Sequence, residues 1–327
     1  MSMSARTMRM WGNTTFFDLG HALLEIAADD SNARPRRVVF QFCSDRWEVP
    51  LVCLVAYLTM VWWALKRGPQ KTSLMPSGAV DAAFAGWNLT LSLFSLWGCY
   101  EHAVWLFTRV SEQGMRFTIC SDPLELPTFG HGTLSLFLFT FSKIPELVDT
   151  VFLILKGKPI RFLQWYHHST VMIFCWLAVA TEYTPGIWFA ATNYLVHAVM
   201  YMYFFLMTFG GLRGCLKVVA PFVTILQTSQ MVLGLLINGF AVMSFVLGYY
   251  CHVQDITIYC AVVMYASYFV LFGRLFTENN APQKEKFGPS AAPAQAEYSS
   301  SAKDECATNL RLRPAVQVLR SSPQVIS

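Results

Sequence analysis

KIPELVDTVFLILKGKPIRFLQWYHHST, residues 143–170, sets ionisable side chains inside two apolar runs. Lys143, Glu146, Asp149 and Thr150 stand in the first run. A basic link from Lys156 to Arg161 follows, and Gln164, His167 and His168 open the second. A charged side chain at membrane depth costs about 2.5–3.5 kcal/mol on insertion scales, so it is rarely there for packing alone. At about 100° per residue, helix positions 143, 146 and 150 fall within about 60° of one another, with 149 flanking them. Positions 164, 167 and 168 likewise share a face. Two helices joined by a tight link can therefore aim an acid–base cluster and a histidine cluster at each other.

On either side of this stretch the chain is apolar. Of 327 residues, 54% are hydrophobic and 13% charged, against about 25% charged in soluble domains. Composition thus points to an all-α, polytopic membrane protein. Seven apolar segments follow one another, at 47–65, 82–107, 132–155, 165–183, 186–207, 217–240 and 255–276. Each approaches the length of about 20 residues that spans a bilayer core of about 30 Å. The apolar stretch 241–251, broken by Gly248, extends the sixth segment. Pro145 is expected to kink the third beside the charged residues, with neighbouring helices satisfying the freed carbonyl. Residues 1–46 are polar and mixed in charge, and read as an extramembrane segment with a short interfacial helix around Phe17–Ala28. Asn13-Thr14-Thr15 is a glycosylation sequon. No positive–apolar–small leader opens the sequence, so the first membrane helix is expected to direct insertion. From 278 to 327 the composition turns to Pro, Ala, Ser, Lys and Gln, which cannot bury enough apolar surface to order itself.

The loops give an orientation. Lys66, Arg67, Lys71, Lys156, Lys158, Arg161, Arg213, Lys217, Arg274, Lys284 and Lys286 fall on one side. The other side holds Arg109 and Arg116 among Glu112, Asp122, Glu125, Glu182 and Asp255. The positive-inside rule makes the first side cytosolic, with the N-terminus luminal and the C-terminus cytosolic. Arg34, Arg36, Arg37 and Arg46 run against this, offset by Asp29, Asp30, Asp45 and Glu48. Cys120 and Cys251 then both lie in luminal loops, where oxidising conditions permit a disulfide; two unpaired thiols are the alternative. The nine cysteines include no CxxC pair, against a structural zinc site, and the net charge of +4 is scattered over helix ends, against nucleic-acid binding.

Further polar residues fall at the same depth. Asn193, His197, Met200 and Tyr201 share one helical stripe, Tyr203 is nearby, and Thr224, Gln227 and Gln230 stand on the sixth segment. Together they describe one polar pocket, open to the cytosol, inside an apolar bundle. Each element also has a purely structural reading. Lys143 with Glu146 or Asp149 is a buried ion pair, His167–His168 a solvated interfacial pair, and Asn193, Gln227 and Gln230 interhelical hydrogen-bonding residues. Tyr201 and Tyr203 suit packing or an aromatic belt. The alignment of all these groups favours chemistry. A neutral imidazole is a good nucleophile and base, and a dry pocket favours the uncharged form. Lys, Asn and Gln donors can stabilise an enolate or oxyanion, and an apolar bundle can hold an acyl chain. The basic rim of Lys156, Lys158, Arg161, Arg213 and Lys217 suits carrier phosphates. A histidine-box di-iron oxidase or desaturase needs about eight histidines, whereas the chain has seven, only three of them clustered, with Gln164 leading the box. No metal is therefore expected. A transporter would more often show internal repeats, and none is evident.

These residues resemble the ELO family of very-long-chain fatty-acid elongases. The resemblance runs from WNLTLSLFSLWG (87–98) through KIPELVDT (143–150), QWYHH (164–168), NYLVHAVMYMY (193–203) and TILQTSQ (224–230) to YFVLFGRLF (268–276). The family box is HxxHH, and Gln164 stands at its first position. The resemblance implies an endoplasmic-reticulum enzyme of seven helices, six of them forming an inverted barrel around an acyl tunnel. It implies a 3-oxoacyl-CoA synthase condensing long-chain acyl-CoA with malonyl-CoA, with release of carbon dioxide and CoA and no bound cofactor. Carried onto this sequence, His167 would take the acyl group, with His168 and His197 carrying protons. Lys143, Asn193 and Gln227 would stabilise negative charge, while Glu146 and Asp149 set the ionisation of Lys143 and the histidine tautomers. Gln164, Tyr201, Tyr203, Gln230, Lys156 and Arg161 would contact substrate. Direct attack, with His168 or His197 as base, is the mechanistic alternative. Trp165 resembles members acting on saturated and monounsaturated chains. Implied partners are membrane lipids, the ketoacyl reductase, dehydratase and enoyl reductase of the elongation cycle, and a second copy of the chain in a homodimer.

Overall fold

The computed structural model describes residues 14–29, 33–68, 77–124, 131–216 and 218–280. Asn13, Asp30, Lys71, Glu125, Lys217, Lys284, Lys286 and the tail beyond 280 lie outside the described residues. All regular structure among the described residues is helical: α1 Phe16–Ala28, α2 Ala33–Asp45, α3 Glu48–Arg67, α4 Ser77–Gln113, α5 Met115–Cys120, α6 His131–Ser142, a 3₁₀ turn Pro145–Leu147, α7 Val148–Leu155, α8 Phe162–Ala180, α9 Gly186–Leu206, a 3₁₀ turn Gly210–Leu212, α10 Arg213–Leu216, α11 Ala220–Val246 and α12 Asp255–Asn280.

Five of these, α3, α4, α9, α11 and α12, are long and apolar enough to cross a membrane. The other two expected spans differ for identifiable reasons. The third is broken: α6 stops at Ser142, and the chain passes through Lys143 and a 3₁₀ turn before α7 restarts at Val148. Pro145 brings no N–H, and its ring crowds the preceding turn, so the α-helical ladder cannot run through it. The fourth, α8, is long enough at 19 residues, but Gln164, His167, His168, Ser169 and Thr170 dilute its apolar character. The sixth extends as expected and ends before Gly248, whose φ of +79° suits a residue without Cβ.

The N-terminal segment is more ordered than its composition suggests. Thr15 and Asp18 form a capping box at the start of α1, the Thr15 amide donating to the Asp18 carboxylate at 2.8 Å. Although α2 is polar on average, it buries Val39, Phe40, Phe42 and Cys43 against Phe137, Trp176 and Val179. The Trp176 indole donates to the Cys43 carbonyl at 2.7 Å, tying this helix to α8.

Helices α4 and α9 pack closely where a glycine meets an aromatic ring. A Cβ added at Gly98 would overlap the Tyr194 ring. That ring cannot yield, because its hydroxyl donates to the Ser135 carbonyl at 2.8 Å and it packs in T-shaped contacts with Phe94 and Phe139. Gly98→Ala is therefore expected to destabilise the protein by about 1–3 kcal/mol through overpacking. Gly86→Ala, on the same helix with open space around its Cβ, should leave the melting temperature in detergent unchanged or raise it. Equal melting temperatures for the two variants would remove the close-approach account.

Cys120 and Cys251 are disulfide-bonded, with Cα atoms 4.1 Å apart. The bond ties the end of α5 to the segment preceding α12, at the opposite end of the bundle from the Lys156–Arg161 link.

Candidate active site

Lys143 lies in the break between α6 and the following 3₁₀ turn and is only 2% exposed. Its Nζ donates to Glu146 Oε1 at 2.7 Å and to Asn193 Oδ1 of α9 at 3.1 Å, and sits 4.0 Å from the centroid of the Phe139 ring. The same Glu146 oxygen accepts from Ser142 Oγ at 2.9 Å, while Oε2 faces His197 Nδ1 at 3.9 Å. An ammonium this deep is tolerable only with a carboxylate and further hydrogen bonds around it, and all are supplied within one turn and one neighbouring helix.

The second half of the cluster lies on α8. The Gln164 amide nitrogen is 2.9 Å from His168 Nε2. An amide nitrogen can only donate, so Nε2 accepts and the His168 proton sits on Nδ1. His168 Nε2 is 3.9 Å from Asp149 Oδ2. Asp149 itself is clamped by the Trp87 indole of α4 and the Tyr201 hydroxyl of α9, each at 2.7 Å. His197 packs edge-on against Tyr201, ring centroids 5.2 Å apart. His168 is within electrostatic reach of His167, His197, Lys143 and Glu146, and His197 of Lys143 and His167. The three imidazoles and the ion pair thus form one group.

His167 differs from the other two imidazoles. Half-buried, it is flanked by His168 at 5.5 Å, Tyr268 at 4.9 Å and Phe272 at 6.4 Å between ring centroids. Its side chain makes no hydrogen bond among the described residues. The Tyr268 hydroxyl is taken up by Thr170 Oγ1 and the His167 carbonyl, so it frames the imidazole without engaging its nitrogens.

The structure places the other expected site residues individually. Asp149 does not pair with Lys143; Glu146 alone takes that role, and Asp149 fastens α7 to α4 and α9. Tyr203 is half-buried against Phe204, about 200° round α9 from Tyr201, and stays outside the cluster. Tyr201 is committed to Asp149. Lys156 is not a free rim cation, since it pairs with Asp81 at 2.6 Å and covers Phe84, and Arg161 is exposed at the start of α8. Gln227 donates to the sulfur of Met200 at 3.2 Å, next to His197 on the α9 stripe, while Gln230 is buried on α11 without a hydrogen bond among the described residues. Ser142 escaped the sequence reading, and Trp87 and Tyr268, which head two of the quoted motifs, were given no role of their own, because an indole, a serine and a tyrosine in apolar helices look like ordinary packing. Tyr57, which bonds Thr150 at 2.9 Å, escaped for the same reason.

An apolar cavity adjoins the cluster through Phe139, whose ring lies against Lys143. Phe139 and Cys175 line it at the Lys143 end, and Thr184, Ile187, Pro123 and Arg36 at the other. It follows α6 from Thr140 to Thr133, about 10 Å at 1.5 Å per residue.

The profile of the family described as "ELO: GNS1/SUR4 family" matches residues 42–287. The chain belongs to the ELO family. As an ELO protein with five apolar helices of spanning length, it is a multi-pass membrane protein. It is 38% identical over 237 residues to very long chain fatty acid elongase 4 of Trypanosoma cruzi, covering 71% of this chain and 80% of that one. Fatty acid elongase 3 of Trypanosoma brucei brucei is 34% identical over 265 residues, with 74% and 87% covered. Fatty acid elongase 2 of Trypanosoma cruzi is 35% identical over 252 residues, with 73% and 88% covered. The ELO match includes the break at Pro145, the Gln164–His168 pair and the α9 stripe.

Proposed function

We propose that this ELO chain is the condensing enzyme of fatty-acid elongation, an acyltransferase of the 3-oxoacyl-CoA synthase type. It joins long-chain acyl-CoA to malonyl-CoA and releases carbon dioxide and CoA. The observation that carries this reading is an imidazole, His167, that makes no side-chain hydrogen bond among the described residues and lies within electrostatic reach of the buried Lys143–Glu146 pair, with the Phe139 ring against Lys143 lining an apolar cavity. The proposed location is the endoplasmic reticulum membrane, with the N-terminus luminal and the C-terminus cytosolic. The proposed architecture counts seven spans, α6 with α7 as one and α8 as another, with six of the seven forming a barrel around an acyl tunnel. The broken α6–α7 span and the polar-headed α8 supply Lys143, Glu146, His167 and His168 to the proposed chemistry, and α9 supplies His197.

In the mechanism, a ring nitrogen of His167 attacks the thioester carbonyl. An N–C bond forms, the C–S bond breaks, and CoA leaves as a thiolate that takes the imidazole proton. Malonyl-CoA then loses carbon dioxide, leaving its electron pair on the α-carbon as a thioester enolate. That carbon bonds to the acyl carbonyl, the N–C bond breaks, and the departing imidazole takes a proton relayed from solvent through His168 or His197, replacing the one that left with CoA. Lys143, with one donor not used by Glu146 or Asn193, stabilises the negative charge that develops on oxygen. Gln164 holds His168 in one tautomer. Saturated and monounsaturated chains are the proposed acyl substrates, and the reductases and dehydratase of the cycle the proposed partners.

Membranes containing the recombinant protein, given radiolabelled malonyl-CoA and acyl-CoA of short to very long chain, should yield 3-oxoacyl products two carbons longer. If no chain length is extended above the level of membranes without the protein, the enzymatic reading fails. The far end of the cavity should set the product length. Ala178 lines it near the end of α8, and Ala178→Phe is expected to shift the preferred substrate at least two carbons shorter. Each methylene in such a pocket is worth about 1–3 kcal/mol, so selectivity should change by about 10–200-fold. Unchanged product lengths by mass spectrometry would show that the chain runs elsewhere.

A further inference from the structure

Three segments converge at the far end of α8 from the basic link, about 28 Å away along that 19-residue helix. Asp122 follows α5, Glu182 sits in the turn between α8 and α9, and His252 precedes α12. A carboxylate oxygen from each acid and an imidazole nitrogen lie within 4.8 Å of one another. His252 Nδ1 is 3.9 Å from Asp122 Oδ2. We propose that Asp122, Glu182 and His252 bind a divalent first-row transition-metal ion of the Zn²⁺ type, separate from the histidine cluster.

The donor set suits such an ion. One imidazole nitrogen and two carboxylate oxygens, completed by water, match borderline cations; a hard cation such as Ca²⁺ prefers oxygen alone. Donors about 2.1 Å from a tetrahedral ion lie about 3.4 Å apart, within a small side-chain rotation of the observed spacing. The site is also held in advance. Asp122 and His252 stand two residues and one residue beyond the disulfide-bonded Cys120 and Cys251, and the His252 amide donates to the Cys120 carbonyl at 2.8 Å. Asp122 Oδ1 is fixed by the Leu124 amide at 2.8 Å, leaving Oδ2 to face the trio. The exposed Tyr250 hydroxyl, 3.2 Å from His252 Nδ1, can turn away to solvent. The Asp122 and Glu182 carboxylates repel each other, and Arg37 is within electrostatic reach of Glu182. A bound cation would offset the repulsion between the two facing carboxylates.

Glu182 also lines the far end of the cavity. The ion would pin the α8–α9 turn against the segments joined by the disulfide, and so fix the wall at which the cavity stops. That consequence rests on the acyl-cavity reading; the binding itself does not.

The test uses full-length protein in detergent, stripped with EDTA, kept as a monodisperse fraction and dialysed against ZnCl₂ with metal analysis of the protein. Wild type should retain one Zn²⁺ per chain and melt at a higher temperature with it. His252→Ala and Asp122→Asn should each bind at least about tenfold more weakly, while the His167→Ala/His168→Ala/His197→Ala triple variant should bind as wild type does. Absence of saturable binding, binding unchanged in His252→Ala and Asp122→Asn, or binding lost only in the triple variant would each overturn the proposal. None of these readouts depends on elongation activity, so failure of the site and failure of the enzymatic reading are separable.

Discussion

Replacing His167 by alanine is expected to lower elongation by about a hundredfold to ten-thousandfold while leaving the protein folded. Among the described residues the imidazole forfeits no hydrogen bond on removal, and it loses ring contacts with His168, Tyr268 and Phe272, so the variant should purify like wild type. Malonyl-CoA-dependent extension measures the first part and size exclusion in detergent the second. The same pair of proteins separates the two mechanisms. With acyl-CoA alone, the covalent route predicts an acyl adduct on His167 by peptide mass spectrometry, absent from the variant. Direct condensation predicts no adduct on any histidine, and loss of turnover on changing His168 or His197 instead. His167→Ala retaining activity within tenfold of wild type would remove the proposed nucleophile altogether.

Glu146→Ala is expected to be the most destabilising single change in the site. It leaves the Lys143 ammonium buried, at 2% exposure, with only the Asn193 oxygen and the Phe139 ring against it. Breaking a buried pair by removing one partner costs about 3–5 kcal/mol, and the melting temperature should fall by roughly 10 °C. Removing both charges should be far milder. Lys143→Met/Glu146→Gln keeps the volume, needs no paired charge, and should recover most of that loss while remaining inactive for want of the donor to the developing oxyanion. The comparison reads stability and catalysis apart. A double variant as unstable as Glu146→Ala would show that the pair is not an isolated electrostatic unit, and an active one would remove Lys143 from the chemistry.

Much of this was legible in the amino-acid sequence. Helical spans follow from apolar runs near bilayer length, and Lys143, Glu146, His167 and His168 stand out because charged and polar groups are costly where the surroundings are apolar. That Lys143 and Glu146 share a face follows from helix periodicity, which survives even the break at Pro145 because they lie within one turn. The pairing of Cys120 with Cys251 was consistent with both lying in loops on one side, although spacing could not decide it.

The tertiary structure alone decided which partner each polar atom takes. Asp149 and His168 both read as members of one reactive face. Yet Asp149 is spent on Trp87 and Tyr201, 62 and 52 residues away along the chain, while His168 is oriented by Gln164, one turn before it. Glu182 and His252, given no chemical role in the sequence reading, meet Asp122 across three loops. The polar helix α2 packs into the core through one buried stripe. Periodicity specifies the face a side chain takes on its own helix, and local cost marks which side chains need a partner. Which of several helices supplies that partner depends on rotation and depth between distant segments, and these are set by close approaches such as Gly98 against Tyr194, to which a single helix's pattern carries no reference.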